Sequence, residues 1–164
     1  MKKKNMTKLL GLLVLVLIIL TSCDPAKKWE KEERQMIQDY LNSVGDTNYV
    51  LKPSGLYYYE VLAGTGRMPV TNDTVYFRYT GLFLDGFIFD SNLDKSLPDY
   101  FVVGSGNVIA GMDEGVRYMK DGGKANLLLP SKLAYGSFGN GPISGYTPLL
   151  FRIQLVGVKA GEKK

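Results

Sequence analysis

The chain has 164 residues, with 20 Lys and Arg against 16 Asp and Glu, one cysteine and no histidine. That length suits one domain of ordinary size with appendages. The missing histidine excludes Ser-His-Asp and Cys-His nucleophilic sites, histidine zinc sites and a switch that titrates near neutral pH, and a lone Cys23 can form neither an internal disulfide nor a CxxC redox pair.

At the N-terminus, Lys2, Lys3, Lys4 and Lys8 precede an uncharged run from Leu9 to Leu20, and Leu20-Thr21-Ser22-Cys23 follows. A charged start, a short apolar core and small residues before a cleavage point describe an export signal, too short for an ordinary spanning helix. The last four of these residues resemble the bacterial lipobox, whose cysteine becomes the lipidated first residue of the mature protein. Residues 1–22 are therefore read as a lipoprotein signal peptide and Cys23 as the lipidation site. Acyl chains hold a domain on a membrane because each buried methylene contributes about 0.8 kcal/mol. The expected location is the bacterial cell envelope, at the outer membrane with the domain in the periplasm. Removing the signal removes four lysines and leaves 16 basic against 16 acidic residues. The apparent basicity belongs to targeting, and no nucleic-acid partner is implied.

Residues 23–52 follow as a lipid-anchored helix and linker. No Pro or Gly interrupts the chain between Ala26 and Val44, and Trp29, Met36, Ile37, Tyr40, Leu41 and Val44 recur at three- and four-residue intervals. That spacing predicts an amphipathic helix ending near Gly45, its stripe docked on the next domain or on an envelope protein partner. Asp46 to Lys52 reads as a linker. From Pro53 to Ala160 the chain reads mainly as strands: Leu56 to Leu62, Thr74 to Thr80, Tyr100 to Val103, Lys124 to Leu129 and Leu149 to Val158. Val75, Phe77 and Tyr79 alternate with Tyr76, Arg78 and Thr80, and Asp85-Gly86 between two apolar runs signals a hairpin. One helix is expected within residues 108–123, where Ile109, Met112, Val116 and Met119 are spaced by three and four and Gly122-Gly123 stop it. The fold class is α+β, an antiparallel sheet with one short helix across its face, preceded by the N-terminal helix and followed by a polar tail at 161–164. The glycine-rich stretches at 64–69 and 104–111 lack the partners a phosphate cradle needs, and Asp85, Asp90, Asp94 and Asp99 match no calcium loop. No metal site is expected.

Six separated motifs carry a resemblance: Tyr79-Thr80-Gly81, Asp85-Gly86, Phe89-Asp90-Ser91, Gly104 with Val108-Ile109 and Gly111-Met112, Ala134-Tyr135-Gly136, and Leu150-Phe151. In order and spacing, over about Leu56 to Lys159, they resemble the FKBP-type peptidyl-prolyl cis-trans isomerases. The resemblance implies a strongly bent antiparallel sheet wrapped around a short helix, and catalysis of X-Pro rotation in exported, proline-containing polypeptides without nucleophile, metal or cofactor. It implies that Tyr79, Phe89, Phe151 and Met112 line the proline pocket, with Val108 and Ile109 at its rim and the Ile109 N–H meeting a substrate carbonyl. Tyr135 would offer its hydroxyl to a second carbonyl, and Asp90 would orient the carbonyl beside the rotating bond. From the loop Asn140 to Pro148, Ile143 is carried over as substrate-binding, and Tyr146 is a local candidate without family support. The family's floor residue is commonly tryptophan, so Met112 implies looser proline binding. The alternatives are a non-catalytic proline-peptide-binding chaperone and an accessory subunit of an envelope complex such as a motility apparatus.

Overall fold

The computed structural model describes residues 25–45 and 48–161. The signal, the lipobox and Cys23 lie outside the described residues. Residues from Glu33 onward pack as one compact unit, and the chain before Glu33 belongs to another.

Helix α1 spans Pro25–Val44 and contains no glycine. Gly45 follows it at φ +58°, a left-handed conformation that ends helices with no Cβ penalty. Seven strands follow among the described residues: β1 (Val50–Leu51), β2 (Tyr57–Leu62), β3 (Thr74–Leu82), β4 (Ile88–Ser91), β5 (Asp99–Val102), β6 (Lys124–Leu129) and β7 (Leu149–Lys159). They form one antiparallel sheet in the order β1-β2-β6-β7-β3-β4, with β5 also on β3. Because β7 runs along the whole of β3 from Thr74 to Leu82, β4 and β5 share the opposite edge: β5 takes Thr74 to Phe77 and β4 takes Thr80 to Leu82. Register shifts at Glu60/Leu62, Tyr76/Phe77 and Gly81/Leu82 insert bulges, which bend strands and add twist. The Asp85-Gly86 turn forms as expected, with Gly86 at φ +92° and the Asp85 carboxylate accepting the Phe87 N–H at 2.9 Å.

Helix α2 (Ala110–Val116) lies against β6. It is shorter than the expected segment, but Met119 beyond it remains 1% exposed. Two glycines set its distance from the sheet. A Cβ on Gly115 would stand 2.2 Å from Leu127 Cδ1, and one on Gly111 2.5 Å from Leu129 Cδ2. Glycine inside a helix costs about 1 kcal/mol relative to alanine, and here the missing side chains let α2 approach β6 closely. Met112 and Val116 then join Val75, Phe77, Phe101, Leu127, Leu129, Phe151 and Leu155 in the main core.

The opposite face of the sheet has its own cover. Leu82, Leu150 and Leu128 are directly opposite one another across β3, β7 and β6, and Ile37 of α1 packs on them. Each such side chain contributes roughly 1.5–3 kcal/mol when buried. This is why Leu127-Leu128-Leu129 is an unbroken apolar run: β6 is covered on both faces.

Three expectations need correction. Of the α1 stripe, Ile37 is buried and Tyr40 and Leu41 half-buried, whereas Trp29, Met36 and Val44 are 48%, 44% and 46% exposed. The 46–52 linker contains β1, which pairs with Tyr57 and Tyr58. Gly161, assigned to the polar tail, donates its N–H to Asp73 Oδ1 at 3.0 Å.

Candidate functional site

Beyond the end of α2, the inner face of the sheet opens into a cavity of about 540 Å³. Its lining includes Tyr79 from β3, Asp90 from β4, Phe151 from β7, Met112 from α2, Val108 and Ile109 before α2, and Tyr135 from the loop after β6. Sequence-distant residues meet here because β3 is the strand that β4, β5 and β7 all pair with.

The aromatic wall is built on glycine. Gly81 is opposite Asp90 on one side and Phe151 on the other. A Cβ at this position would meet Phe89 Cζ at 2.7 Å and Phe151 Cε1 at 3.1 Å. The vacated space seats an edge-to-face pair, Phe89 on Phe151, with centroids 5.8 Å apart and planes at 82°. Tyr79 also packs on Phe151, with centroids 6.1 Å apart. Met112, 5% exposed, also lines the cavity.

The polar groups sit at one edge. Tyr79 donates its hydroxyl to Asp90 Oδ2 at 2.5 Å. Burial, then the hydrogen bond and charge of Asp90, push the Tyr79 phenol well above its ordinary value of 10.0. Burial and then the Asp90 charge also raise Tyr135. Both phenols are therefore protonated donors at neutral pH. Tyr79 already commits its hydroxyl hydrogen bond to Asp90, while among the described residues no protein acceptor takes the Tyr135 hydroxyl. Ile109 caps α2, its carbonyl accepting from Met112 and Asp113, while no protein acceptor takes its own N–H among the described residues. The cavity thus offers apolar walls, these two unused donors and two carboxylates, Asp90 and Asp99.

Asn92 holds this edge together. β5 stops at Phe77 and β4 starts at Thr80, which leaves Tyr79 without a ladder partner on that side. The fully buried Asn92 fills the gap: Oδ1 accepts the Tyr79 N–H at 2.8 Å, Nδ2 donates to the Phe77 carbonyl at 3.0 Å, and its backbone N–H donates to the Tyr79 carbonyl at 3.2 Å. Arg78 donates to the carbonyls of Asn92, Lys95 and Ser96, tying down the loop that leads to β5.

Seven of the nine pocket residues expected from sequence line the cavity: Tyr79, Asp90, Tyr135, Phe151, Val108, Ile109 and Met112. Phe89 does not; it stands behind Phe151 and also touches Phe83. Ile143 does not either. It is 5% exposed in the main core, because its loop closes on itself through reciprocal backbone bonds with Asn140. Tyr146 is likewise not part of the lining. Missed were Phe77, Asp99, Tyr100, Gly106 and Asn107. A signal existed for two of them: Phe77 shares a strand face with Tyr79, and Asp99 with the buried Phe101.

A model of the FKBP-type peptidyl-prolyl cis-trans isomerase family matches residues 65–156, more than half of the chain. The FKBP-type peptidyl-prolyl cis-trans isomerase FkpA of Aeromonas hydrophila is 42% identical over 106 residues, 65% of this chain and 39% of that protein. Outer membrane protein MIP of Legionella longbeachae is 42% identical over 112 residues, 67% of this chain and 47% of that protein. The chain therefore spans less than half the length of these two relatives. The crystal structure of a peptidyl-prolyl cis-trans isomerase from Pseudomonas syringae pv. tomato superposes with a TM-score of 0.71 at 32% identity, covering 85% of this chain and 99% of that one.

Proposed function

Because the chain belongs to the FKBP-type peptidyl-prolyl cis-trans isomerase family, we propose that it accelerates X-Pro rotation in exported polypeptides, holding the twisted amide non-covalently in the cavity floored by Met112. The observation that carries this reading is the combination of apolar walls with two unused donors, the Tyr135 hydroxyl and the Ile109 N–H. Rotation must break amide resonance, a barrier of about 18–20 kcal/mol. The planar amide is the more charge-separated form, so a pocket that strips water from it disfavours the ground state relative to the twisted one. Tyr79, Phe151 and Met112 supply that environment, Phe89 backs it, and the two donors hold flanking carbonyls so that the peptide is bent as the bond turns. Asp90, fixed by Tyr79, orients the carbonyl beside the proline. No electron pair or proton need change owner.

Residues 1–22 act as a lipoprotein signal peptide, and lipidated Cys23 anchors the chain at the outer membrane with the 53–160 domain in the periplasm. The n-region, apolar core and LTSC pattern support this, and an envelope location is supported by the relative named outer membrane protein MIP. Exposed apolar residues of α1, Met36 and Val44 among them, are where an envelope protein partner would bind.

A protease-coupled assay on a proline tetrapeptide tests the activity. The parent chain is expected to accelerate isomerisation, and Tyr135→Phe to lower kcat/KM without lowering the melting temperature. Measurable peptide binding with no acceleration would leave a binding module and sink the enzyme. For the anchor, Cys23→Ala is expected to shift the chain from the membrane to the soluble fraction, and continued membrane association would refute lipidation.

A further inference from the structure

Glu33 is an acid inside α1 that neither the cavity nor the helix stripe explains. It is buried, at 6% exposed. Both carboxylate oxygens are committed to one residue 98 positions away: Oε1 accepts the Ser131 N–H, and Oε2 accepts the Ser131 hydroxyl at 3.1 Å.

Ser131 opens the short 3₁₀ turn Ser131–Leu133, which follows directly on β6. The first N–H groups of such a turn have no partner within it and ordinarily take a capping side chain from the residue before. Here that residue is Pro130, which provides no side-chain cap. The cap is supplied instead by Glu33.

The position of Ser131 is passed on to the site through its carbonyl. That one oxygen accepts the N–H of Ala134 and the N–H of Gly136, each at 2.8 Å. These are the two neighbours of Tyr135, so the backbone on both sides of the cavity tyrosine is hung from Ser131. Gly136, at φ +65°, completes the turn in a conformation that only glycine adopts cheaply.

We infer that Glu33 is a positioning residue for Tyr135, and that α1 is in this way a working part of the site. Its carboxylate fixes Ser131, Ser131 fixes the flanking backbone, and the phenol is thereby aimed into the cavity. The effect on rate rests on the isomerase reading above; the effect on backbone order does not.

In the full-length chain, Glu33→Ala is expected to lower kcat/KM for the proline tetrapeptide by about three- to tenfold, the range one net hydrogen bond accounts for. Glu33→Gln, which keeps an oxygen for the Ser131 N–H, is expected to recover most of the rate. Added to Tyr135→Phe, Glu33→Ala should take away nothing further, because its route runs through that hydroxyl. Additive losses, or a parental rate in Glu33→Ala, would overturn the inference. Should the parent chain show no acceleration, the isomerase reading fails and the positioning is still measured by amide exchange. Ala134 and Gly136 should exchange at least about tenfold faster in Glu33→Ala while β3 and β7 stay protected. Unchanged exchange at those two amides, or an equal loss of protection across the sheet, would overturn it.

Discussion

Gly81→Ala perturbs the cavity wall without altering any polar group. The added Cβ would stand 2.7 Å from Phe89 Cζ and 3.1 Å from Phe151 Cε1, where ordinary contact begins at 3.4 Å, so about 0.7 Å must be found. Phe151, 2% exposed, is the more confined of the two rings. The half-buried Phe89 must yield, and its edge-to-face contact passes part of the shift to Phe151. Overpacking of this kind costs about 1–3 kcal/mol. Replacing glycine stabilises by about 0.4–1 kcal/mol through the unfolded chain. The net is a loss of about 1–2 kcal/mol, or a melting temperature lower by roughly 3–10 °C for a domain of this size. Activity should fall as well, by about tenfold in kcat/KM at a temperature where the variant is folded, because wall displacements well under 1 Å misplace the bound amide. Circular dichroism melting and the protease-coupled assay measure the two effects. Gly157→Ala is the control: its nearest neighbour would be Tyr76 Cδ2 at 3.4 Å, an ordinary contact, and it should be at least as stable as the parent. If Gly81→Ala melts with Gly157→Ala and keeps the parental rate, the rings yield freely and the wall argument is wrong.

Met112→Trp should tighten proline-peptide binding, measured by fluorescence titration, since it enlarges the apolar floor under the ring; equal or weaker binding would remove Met112 from that role. Asn92→Ala strips the partner from the Tyr79 N–H and the Phe77 carbonyl inside a closed gap. Buried groups left unpaired cost about 1–3 kcal/mol each, so denaturant melts should show a loss of at least about 2 kcal/mol. Asp73 accepts N–H groups from Val70 and Gly161 and pairs with Arg67 at 2.5 Å. The Val70 bond first, opposed by burial and aided by Gly161 and Arg67, lowers its pKa from 3.8. A lowered folded value means that the stabilisation is present above 3.8 and is lost as pH falls through the folded value. Melting temperatures from pH 6 down to pH 2 should therefore drop less steeply in Asp73→Asn than in the parent, and parallel curves would count against this pairing.

Much of this architecture was written in local pattern. Strict alternation in Thr74 to Thr80 and the Asp85-Gly86 turn each report on a few adjacent residues, and each element lies where those residues put it, within a residue or two, whereas helix α2 ends at Val116, well before the Gly122-Gly123 stop. The absence of histidine and the single cysteine narrowed the chemistry just as directly. The six spaced motifs named seven of the residues that line the cavity. Other features depend on which strands become neighbours. Gly81 is a seat for two rings only because β4 and β7 flank β3. Asn92 is structural only because β4 and β5 leave a gap on one edge, and Ile143 is core rather than pocket lining because its loop folds back on Asn140. Glu33 looked like one more charge on a charged helix, and its partner lies 98 residues away. Periodicity in a sequence reports which face of an element is apolar, whereas the partner of a polar group is chosen by the tertiary packing that brings distant elements together, and in this chain that packing decided how the tyrosine at the cavity edge is held.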